Sequence, residues 1–424
     1  MKIKNIRLAV IGLGYVGLPL CLALNKKYNV CGFDINRSIV NNLNNNKSHI
    51  ENISDKDFLD NKDIIFTSNF SDLKNCGVFI ICVPTPIYKN KSPDNTYLYS
   101  VRDMLSKINL KNKIIINEST TYPGATREIF GKIFLDQKLK LGKNCYLAFS
   151  PERVDPGNAR YKTENIPKLV SGSTNQCLKF ISKIYKEIFK IHKVSNIETA
   201  EFTKVYENVF RSINISFVNE MKVLSHKMKI DIYEVIKAAS TKPFGFMPFY
   251  PGPGFGGHCI PVDPFLLAWK AKNYDFYTRF IELSGQINET MPNYIVTSLV
   301  KKLSMKKFNL SKLKLLVIGL SYKKNSYDIR ETPATKIIKL LKSYKIKLYY
   351  HDNIVSQSEL KKNLILNKVK SMPINKVNIK EKINACLILA DHDYINYDLL
   401  QKNCKIIFDT RGRLSSKHKN VFQL

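Results

Sequence analysis

The sequence has no apolar run that approaches the roughly 20 residues a membrane-spanning helix needs. The apolar run closest to that description, around Val78 to Val83, has only the length of a strand. A signal peptide would need a longer apolar segment and a cleavage site, and neither stands before the glycine loop at Gly12. We therefore expect no membrane span, no export signal and a cytoplasmic protein.

Paired cysteine motifs are also missing. The sequence has 9 cysteines, an odd number, and no two of them have CxxC spacing. That pattern argues against a disulfide framework and against a structural zinc site. We predict no metal site and a reducing compartment.

Acidic residues are few compared with basic ones. The chain has 35 Asp and Glu against 67 Lys and Arg, which gives a net charge of +32. Such a charge would fit a nucleic acid or an anionic membrane. The lysines are scattered, however, without an Arg-rich tract, zinc-finger spacing or an aromatic RNA-binding signature. We expect mostly solvated lysines and no nucleic-acid partner, although a positive field would suit an anionic nucleotide substrate.

The length and composition indicate a multidomain globular protein. At roughly 100–200 residues per domain, 424 residues correspond to two to four domains, and 44% hydrophobic residues exclude disorder as the main state. Strands alternate with helical patterns in the first part, which predicts a parallel sheet covered on both faces. The predicted elements there are strands Ile6–Ile11, Val30–Asp34, Val78–Val83, Lys113–Asn117 and Tyr146–Phe149, and a helix Leu18–Asn25.

A long helix is predicted from Glu198 to Lys229, because apolar residues recur there at steps of three and four without Gly or Pro. The repeating residues are Phe202, Tyr206, Val209, Ile213, Phe217, Met221, Leu224 and Met228. A helix so long and so apolar predicts a homodimer or a larger homo-oligomer built through it.

A second alternation of strands and helices is predicted after Met291–Pro292. Thr332 and Pro333 have the residue types of a helix N-cap and first position. The predicted strands are Lys314–Ile318, Ile346–Tyr350, Ala385–Ala390 and Lys405–Phe408. The predicted fold class is therefore α/β, with domains at residues 1–197, 198–300 and 301–424: an αβ domain, a long central helix with its loop, and another αβ domain.

The loop Gly12-Leu-Gly14-Tyr-Val-Gly17 follows a predicted strand and opens a predicted helix. In dinucleotide-binding domains the glycines of this motif permit a tight turn, close approach of the pyrophosphate and close helix packing. Asp34, at the end of the next strand, would accept hydrogen bonds from a ribose 2′-hydroxyl and repel a 2′-phosphate. We predict NAD rather than NADP.

The stretch from Gly252 to Pro264 crowds four glycines around Cys259. If Pro261 is an early helical position, Cys259 lies near a helix N-terminus, where a thiolate is stabilised. Asp263 would then lie one turn away. From the residues alone, a catalytic thiolate and a buried cysteine in a glycine-rich loop both remain open.

Three further polar groups are candidates by position. Lys204 and Asn208 are one turn apart on the long helix, off its apolar stripe, and are either a solvated pair or part of a site. The segments that begin at Ser150 and Glu118 follow strand ends, where αβ proteins bind ligands. Ordinary polar loops would give the same pattern.

Taken together, these motifs resemble the nucleotide-sugar 6-dehydrogenases of the UDP-glucose dehydrogenase superfamily. The resemblance covers nearly the whole chain and extends to a C-terminal UDP-binding domain with a Rossmann-like fold. The similar segments are GLGYVGLP, CVPTP, ESTTYPG, SPERVDPGN, EFTKVYENVFR, PGPGFGGHCIPVDP, GLSYKKNSYDIRETPA and FDTRGR.

The resemblance implies a four-electron oxidation of a sugar C6 alcohol to a carboxylate with two NAD⁺. Cys259 would add to the aldehyde, Lys204 and Asn208 would stabilise the oxyanion, and Glu152 would orient or activate the hydrolytic water. A water near Thr120 and Asp263 would take the first proton. Implied cofactor contacts are Gly12, Gly14, Tyr15, Val16, Gly17, Asp34, Thr85 and Thr120. Implied substrate contacts are Glu152, Arg153, Lys204, Asn208, Gly256, Gly257, Lys323, Arg330 and Arg411.

The segments around Glu152 and Cys259 are most like the branch acting on UDP-N-acetylglucosamine and UDP-N-acetylgalactosamine, which supplies surface polysaccharides. UDP-N-acetylglucosamine is the expected substrate, and the galactosamine, mannosamine and glucose forms are alternatives. UDP-glucose dehydrogenases often carry a second glutamate where this chain has Pro156, next to Asp155.

Two other functions compete with this interpretation. A two-electron β-hydroxyacid dehydrogenase also has a GxGxxG domain and a helical domain with a lysine, but it needs neither Cys259 nor a UDP-binding domain. A basic nucleic-acid-binding protein would account for the charge, and the scattered lysines disfavour it.

Overall fold

The computed structural model describes residues 6–50, 53, 57–58, 64–153 and 165–424. The described chain divides into two compact units. The first runs to Glu207 and takes in Phe265–Tyr277, and the second comprises Asn208–Pro264 and Thr278–Leu424. The division at residues 197 and 300 stays a prediction. No helix in the described ranges is long and apolar enough to cross a membrane.

The first unit is built on an eight-stranded sheet in the order β3-β2-β1-β4-β5-β6-β7-β8. All neighbours in it are parallel except β6 and β7. The order β3-β2-β1-β4-β5-β6 is that of a Rossmann sheet, with its switch point between β1 and β4. The strands are β1 Leu8–Ile11, β2 Val30–Phe33, β3 Ile65–Thr67, β4 Val78–Ile81, β5 Ile114–Asn117, β6 Tyr146–Phe149, β7 Lys168–Gly172 and β8 Ile191–Lys193.

The apolar runs predicted as strands are the buried centre of this unit, because a parallel sheet is covered by helices on both faces. Every residue of β1, β4, β5 and β6 is buried. The predicted strands thus stand where expected, with ends displaced by no more than two residues. The helices are α1 Gly17–Asn25, α2 Arg37–Asn44, α3 Thr96–Leu105, α4 Lys132–Asp136 and α5 Asn175–Tyr185.

The predicted long helix is α6, Ile197–Met228. Its buried side is mostly small and polar, and six of its large apolar side chains are exposed, among them Phe202 at 45%, Phe217 at 56% and Met228 at 60%. Of the predicted stripe, Val209 is buried, and Ile213 and Met221 are half-buried. This arrangement is the reverse of an ordinary amphipathic helix on a monomer, in which the apolar stripe faces the core.

Two more helices of the second unit flank the loop around Cys259 in the sequence. They are α7, Ile232–Ala239, and α9, Arg279–Met305, while α8, Asp263–Ala271, crosses from the second unit into the first. Helix α9 continues through Pro292, where the sequence predicted that the last αβ pattern would begin. Proline lacks the N–H that would bond to the carbonyl of Asn288 four residues earlier, and the backbone of Gly254 packs beside that carbonyl.

The last part of the chain forms a six-stranded parallel sheet in the order β11-β10-β9-β12-β13-β14. Thr332 caps the helix that follows β9, accepting a hydrogen bond from the Ala334 amide, and Pro333 is its first residue, as predicted. The strands are β9 Lys314–Ile318, β10 Lys347–His351, β11 Lys370–Ser371, β12 Ala385–Ile388, β13 Ile407–Asp409 and β14 Val421–Gln423. The helices are α10 Pro333–Ser343, α11 Gln357–Lys361 and α12 Tyr397–Asn403.

We predict that the exposed apolar side chains of α6, which include Phe202, Phe217 and Met228 and are called the apolar row below, form the centre of a homodimer interface. Phe217→Glu should weaken the dimer at least tenfold, because a two-fold interface buries the substitution twice and burial of one Phe contributes about 1.5–3 kcal/mol. Sedimentation velocity at micromolar concentration measures this. Leu135→Glu, at a 72% exposed position on α4, is the matched control and should leave the dimer unchanged. A monomeric native protein, or a dimer insensitive to Phe217→Glu, would contradict the prediction.

Candidate active site

The glycine loop after β1 has the packing that a dinucleotide site requires. Gly12 has a φ of +91°, and a Cβ there would lie 2.7 Å from the Cys82 carbonyl oxygen. A Cβ on Gly17 would lie 1.8 Å from the Gly12 oxygen, whereas a Cβ on Gly14 would meet nothing within 4 Å. The fold therefore requires glycine at positions 12 and 17. Gly14 faces open space, which is what close approach of a pyrophosphate to the backbone needs.

Asp34 fastens this loop from the end of β2. One carboxylate oxygen accepts a hydrogen bond from the Leu13 amide at 2.9 Å, and the other accepts one from the Asn36 amide at 2.9 Å. No side chain caps α1 at Val16, so the helix N-terminus is left available to an anion. The residues present thus fit NAD: the N-terminus of α1 would hold its pyrophosphate and Asp34 its ribose, with Tyr15 and Val16 next to them in the loop.

The other predicted first-unit residues follow neighbouring strands at the same edge of the sheet. Thr85 follows β4, Thr120 follows β5 and Glu152 follows β6. Because these parallel strands lie next to each other, their carboxyl ends line one crevice. The structure therefore brings these residues to one edge, and both threonines are half-buried there. Asp155 and Pro156 lie outside the described residues.

Glu152 is held by a buried charge cluster that the sequence reasoning missed. The ammonium of Lys168, the first residue of β7, lies 2.8 Å from a Glu118 carboxylate oxygen and 3.4 Å from one of Glu152. Tyr185 donates its hydroxyl hydrogen to the other oxygen of Glu118. Burial works against the Lys168 ammonium, but the two carboxylates outweigh it and raise its pKa above the usual value. Lys168 therefore stays charged and fixes both glutamates.

Arg153 is committed to a partner within the first unit. Its guanidinium donates to both carboxylate oxygens of Glu207, at 2.6 and 3.3 Å, and to the Pro167 carbonyl at 2.9 Å. This pairing leaves Arg153 fewer donors for a substrate than its position in the sequence implied.

Glu201 clamps the loop that follows Thr120, and it was also missed. The carboxylate is fully buried and accepts hydrogen bonds from the Gly124 amide at 2.5 Å and the Thr126 amide at 2.9 Å. Burial raises the pKa of Glu201 to about 7, although the hydrogen bonds act in the opposite direction. A signal was present, because Glu201, Lys204 and Asn208 share one side of the helix at steps of three and four.

In the second unit, the Cys259 loop is fixed at both ends by backbone hydrogen bonds. The Gly252 amide donates to the Asn219 side-chain oxygen at 2.9 Å, and the Gly257 amide donates to the Arg330 carbonyl at 2.9 Å. A Cβ on Gly256 would lie 2.1 Å from the Cβ of Tyr322. Only a glycine-rich segment fits here, and it leaves Cys259 partly accessible.

Asp263 joins this loop to the long helix. Its amide donates to the Cys259 carbonyl at 2.8 Å, and its carboxylate accepts a 2.6 Å hydrogen bond from the Asn208 side chain. Both side chains are buried. Lys204 lies one turn earlier on α6, half-buried, in the first unit.

One detail of the predicted loop was wrong. Pro261 lies in the turn before α8, and the helix begins at Asp263 with Pro264 second. Pro264 suits the first turn, where its missing N–H is not needed. Cys259 therefore precedes the helix by one turn, and the carboxylate of Asp263 occupies the helix N-terminus.

The predicted UDP contacts lie after strands of the second sheet. Arg411 follows β13, and its guanidinium donates to the Leu389 carbonyl at 2.7 Å and the Tyr322 carbonyl at 2.9 Å. Lys323 follows β9 and is half-buried. Arg330, also implied as a substrate contact, forms a two-pronged ion pair with Asp328 at 2.9 and 2.7 Å, so part of its guanidinium is engaged locally.

The fold and the site residues define a NAD-dependent oxidoreductase with a cysteine in its candidate active site. Comparison with known proteins identifies the group more closely. Profiles of the UDP-glucose/GDP-mannose dehydrogenase family match the chain in three blocks: its NAD binding domain at residues 6–189, its central domain at 198–290 and its UDP binding domain at 316–416.

Individual relatives give the same result. The chain is 36% identical to protein CapL of Staphylococcus aureus over 99% of both chains. It is 37% identical to the UDP-N-acetyl-D-glucosamine 6-dehydrogenase of Pseudomonas aeruginosa, over 84% of this chain and 85% of that one. A solved UDP-D-ManNAc dehydrogenase from Pyrococcus horikoshii has a TM-score of 0.86 at 29% identity, covering 99% of this chain and 98% of that chain.

The chain belongs to the UDP-glucose/GDP-mannose dehydrogenase family. It is a NAD-dependent nucleotide-sugar dehydrogenase with a C-terminal UDP-binding domain. The predicted family, fold class, enzyme class and cofactor are confirmed.

We predict a pH-dependent stability of the first unit from Glu201. Its carboxyl holds a proton up to about pH 7 in the native state but only to about 4.5 when exposed. As the pH rises between these values the unfolded state ionises first, so native stability falls. The full shift corresponds to about 3 kcal/mol. Between pH 5 and pH 8, the free energy of unfolding of the native protein should fall by up to this amount relative to Glu201→Gln, which cannot ionise.

Denaturant unfolding at the two pH values measures the difference. The exposed Glu187→Gln is the matched control and should follow the native protein at both. Parallel pH profiles for the native protein and Glu201→Gln would contradict the assignment.

Proposed function

We propose that this enzyme oxidises the C6 alcohol of a UDP-N-acetylhexosamine to the carboxylate, and that the product supplies surface polysaccharide synthesis. The observation that carries the proposal is the Cys259 loop, pinned at Gly252 and Gly257, in which the cysteine stays accessible and is joined through Asp263 to Asn208. A two-electron alcohol dehydrogenase has no use for such a cysteine. The names of the relatives support an N-acetylhexosamine substrate.

The first oxidation needs a proton acceptor and an oriented C6 alcohol. NAD bound at α1 would supply the hydride acceptor for each of the two oxidations. A water held by Thr120 and Asp263 takes the hydroxyl proton, and the carbon loses its hydride, leaving an aldehyde. Asp263 is suited to hold such a water, because its carboxyl group is fixed by a hydrogen bond from Asn208 at the N-terminus of α8.

The second oxidation needs a covalent step, because an aldehyde has no hydride to release easily until a nucleophile adds to it. The Cys259 thiolate adds to the aldehyde carbon, which gives a thiohemiacetal. Loss of the second hydride turns this adduct into a thioester. Lys204 and Asn208 donate to the oxygen on which negative charge develops.

Hydrolysis then releases the product. A water attacks the thioester carbonyl, the C–S bond breaks, and Cys259 leaves as thiolate. Glu152 orients or activates that water. Its fixed position beside Lys168 suits the orienting role, because the ion pair holds the Glu152 carboxyl group at the end of β6.

We predict that Cys259→Ala abolishes uronate formation and leaves NAD⁺ affinity within about twofold of the native value, since the glycine loop is unchanged. Product analysis by chromatography and an NAD⁺ titration measure the two effects. Cys145→Ala, which removes a buried thiol of the first unit, is the control and should keep most of the activity. Steady uronate formation by Cys259→Ala would rule out the covalent route.

We predict that Lys323 and Arg411 bind the diphosphate of the UDP group. One charged hydrogen bond to a diphosphate contributes about 1.5–3 kcal/mol, so Lys323→Ala should raise KM for the UDP-sugar by at least tenfold. Lys324→Ala removes the neighbouring lysine, which forms a surface ion pair with Asp393 at 2.7 Å, and should change KM little. Equal KM values for Lys323→Ala and the native enzyme would refute the assignment.

The proposed sugar preference is UDP-N-acetylglucosamine first, UDP-N-acetylgalactosamine second and UDP-N-acetylmannosamine third. The likeness to a UDP-N-acetyl-D-glucosamine 6-dehydrogenase favours UDP-N-acetylglucosamine. The likeness to a UDP-D-ManNAc dehydrogenase gives oxidation of UDP-N-acetylmannosamine as a second candidate function. A pocket built for the acetamido group leaves polar groups unpaired when UDP-glucose binds, which costs about tenfold to a hundredfold in specificity.

Measuring kcat/KM for these sugars and UDP-glucose tests the order. We expect UDP-N-acetylglucosamine to exceed UDP-glucose by at least tenfold. An equal or higher value for UDP-glucose would overturn the N-acetylhexosamine assignment, and a highest value for UDP-N-acetylmannosamine would move the enzyme to the second candidate.

A further inference from the structure

A basic cavity lies in the second unit, bounded by the C-terminal end of α6, helix α9 and strand β14. Its volume is about 580 Å³, which is within the range of small-molecule sites. The basic residues that line it are Lys222, His226, Lys227, Lys229, Lys301 and Lys302. Neither Lys323 nor Arg411, the proposed UDP contacts, lines this cavity.

The lining has a large excess of positive charge. Asp231 is the one carboxylate side chain among its lining residues. It accepts hydrogen bonds from the Tyr233 amide at 2.9 Å and from the Ser416 hydroxyl at 3.0 Å. Within the described chain, none of the five lysines forms an ion pair. Like charges held around one concave surface repel each other, and a bound anion would relieve that repulsion.

Lys222 is the least ordinary member of this group. Its side chain is only 4% exposed, and its ammonium lies 5.1 Å from the centre of the Tyr233 ring without a hydrogen-bond acceptor in the described structure. Burial lowers its pKa to about 8, although Asp231 and Asp409 act in the opposite direction. A pKa of about 8 leaves most of the Lys222 side chains protonated at neutral pH, and an anion bound in the cavity would favour the charged form further.

The cavity is separate from the surface proposed for dimerisation. Successive residues of an α-helix are 100° apart, so His226 lies about 180° and Lys222 about 140° around α6 from the exposed Phe217. Pairing through the apolar row would therefore leave this side of the helix uncovered.

We propose that this cavity binds a phosphorylated small molecule with at least two phosphate charges, at a site distinct from the one that binds the substrate. Lysines are compact point charges that bind phosphate without demanding the two-pronged geometry of arginine. The concave shape favours a small anion over a polymer, which would follow a groove or an open surface. Nucleoside diphosphates and inorganic pyrophosphate both belong to this class.

Calorimetric titration of the full-length protein with inorganic pyrophosphate tests the proposal. The titration is done with UDP and NAD⁺ both present at saturation, so that the proposed UDP site and the glycine loop at α1 are filled. The native protein should bind one equivalent of pyrophosphate. Lys301→Ala/Lys302→Ala should weaken this binding at least tenfold, since each charged phosphate contact contributes a factor of about ten or more.

Two further variants make the result specific. Met305→Glu places a negative charge at a 70% exposed position of the cavity lining without removing a lysine, and should also weaken binding at least tenfold. Lys336→Ala/Lys339→Ala removes two exposed lysines of α10 outside the cavity, and should change the affinity less than twofold. Circular dichroism checks that each variant folds.

The outcomes separate the possibilities. Absence of pyrophosphate binding in the presence of UDP and NAD⁺ would overturn the proposal. Equal losses in the two double-lysine variants would also overturn it, because pyrophosphate would then respond only to the overall charge of +32. NADH production by Lys301→Ala/Lys302→Ala should equal that of the native enzyme, so failure of the proposed oxidation would be seen separately.

Discussion

The second unit depends on a buried polar contact between helices α6 and α9. Asn219 of α6 donates to the Asn288 side chain of α9 at 2.9 Å, and Ser216 donates to the Ser284 carbonyl at 3.0 Å. The side-chain oxygen of the same Asn219 accepts a hydrogen bond from the Gly252 amide of the cysteine loop. Because an unpaired buried polar group costs about 1–3 kcal/mol, these helices are held in one register, and the loop with them. The apolar row of α6 is left on the outside as a consequence.

In the first unit, buried ionisable side chains hold the loops of the candidate site in place. Lys168 forms ion pairs with both Glu118 and Glu152 at the ends of β5 and β6. Glu201 accepts a hydrogen bond from the segment after Thr120. Each of these groups is stable inside the protein because its partners are present, and removing Glu118 and Glu152 would leave the buried Lys168 charge uncompensated. The polar residues proposed to act on water are therefore positioned by neighbours that do not themselves react.

Much of this structure was predictable from the sequence, and the exceptions have physical causes. Apolar runs such as β4 and β6, and the repeat along α6, are local signals that a buried strand or a long helix requires. The roles of Lys168 and Glu201 depend on contacts with residues 50 and 75 positions away, respectively, so no local pattern identifies their partners. The second alternation of strands and helices was predicted to begin after Met291–Pro292, whereas helix α9 runs through Pro292 to Met305, because tertiary packing prevailed over the tendency of proline to end a helix. Pro261, offered by the sequence as a possible early helical position, lies before α8, because Pro261 and Pro264 both suit a first turn and the sequence alone does not separate them.

The central claim is that one active site carries a sugar alcohol through two successive oxidations by way of Cys259. The stoichiometry of the reaction tests it most directly. NADH is measured by absorbance, and the UDP-N-acetylhexosamine consumed is measured by chromatography in the same sample. The account predicts two NADH for each sugar consumed, with the carboxylate as the product. One NADH for each sugar, with an aldehyde or ketone as the product, would contradict it.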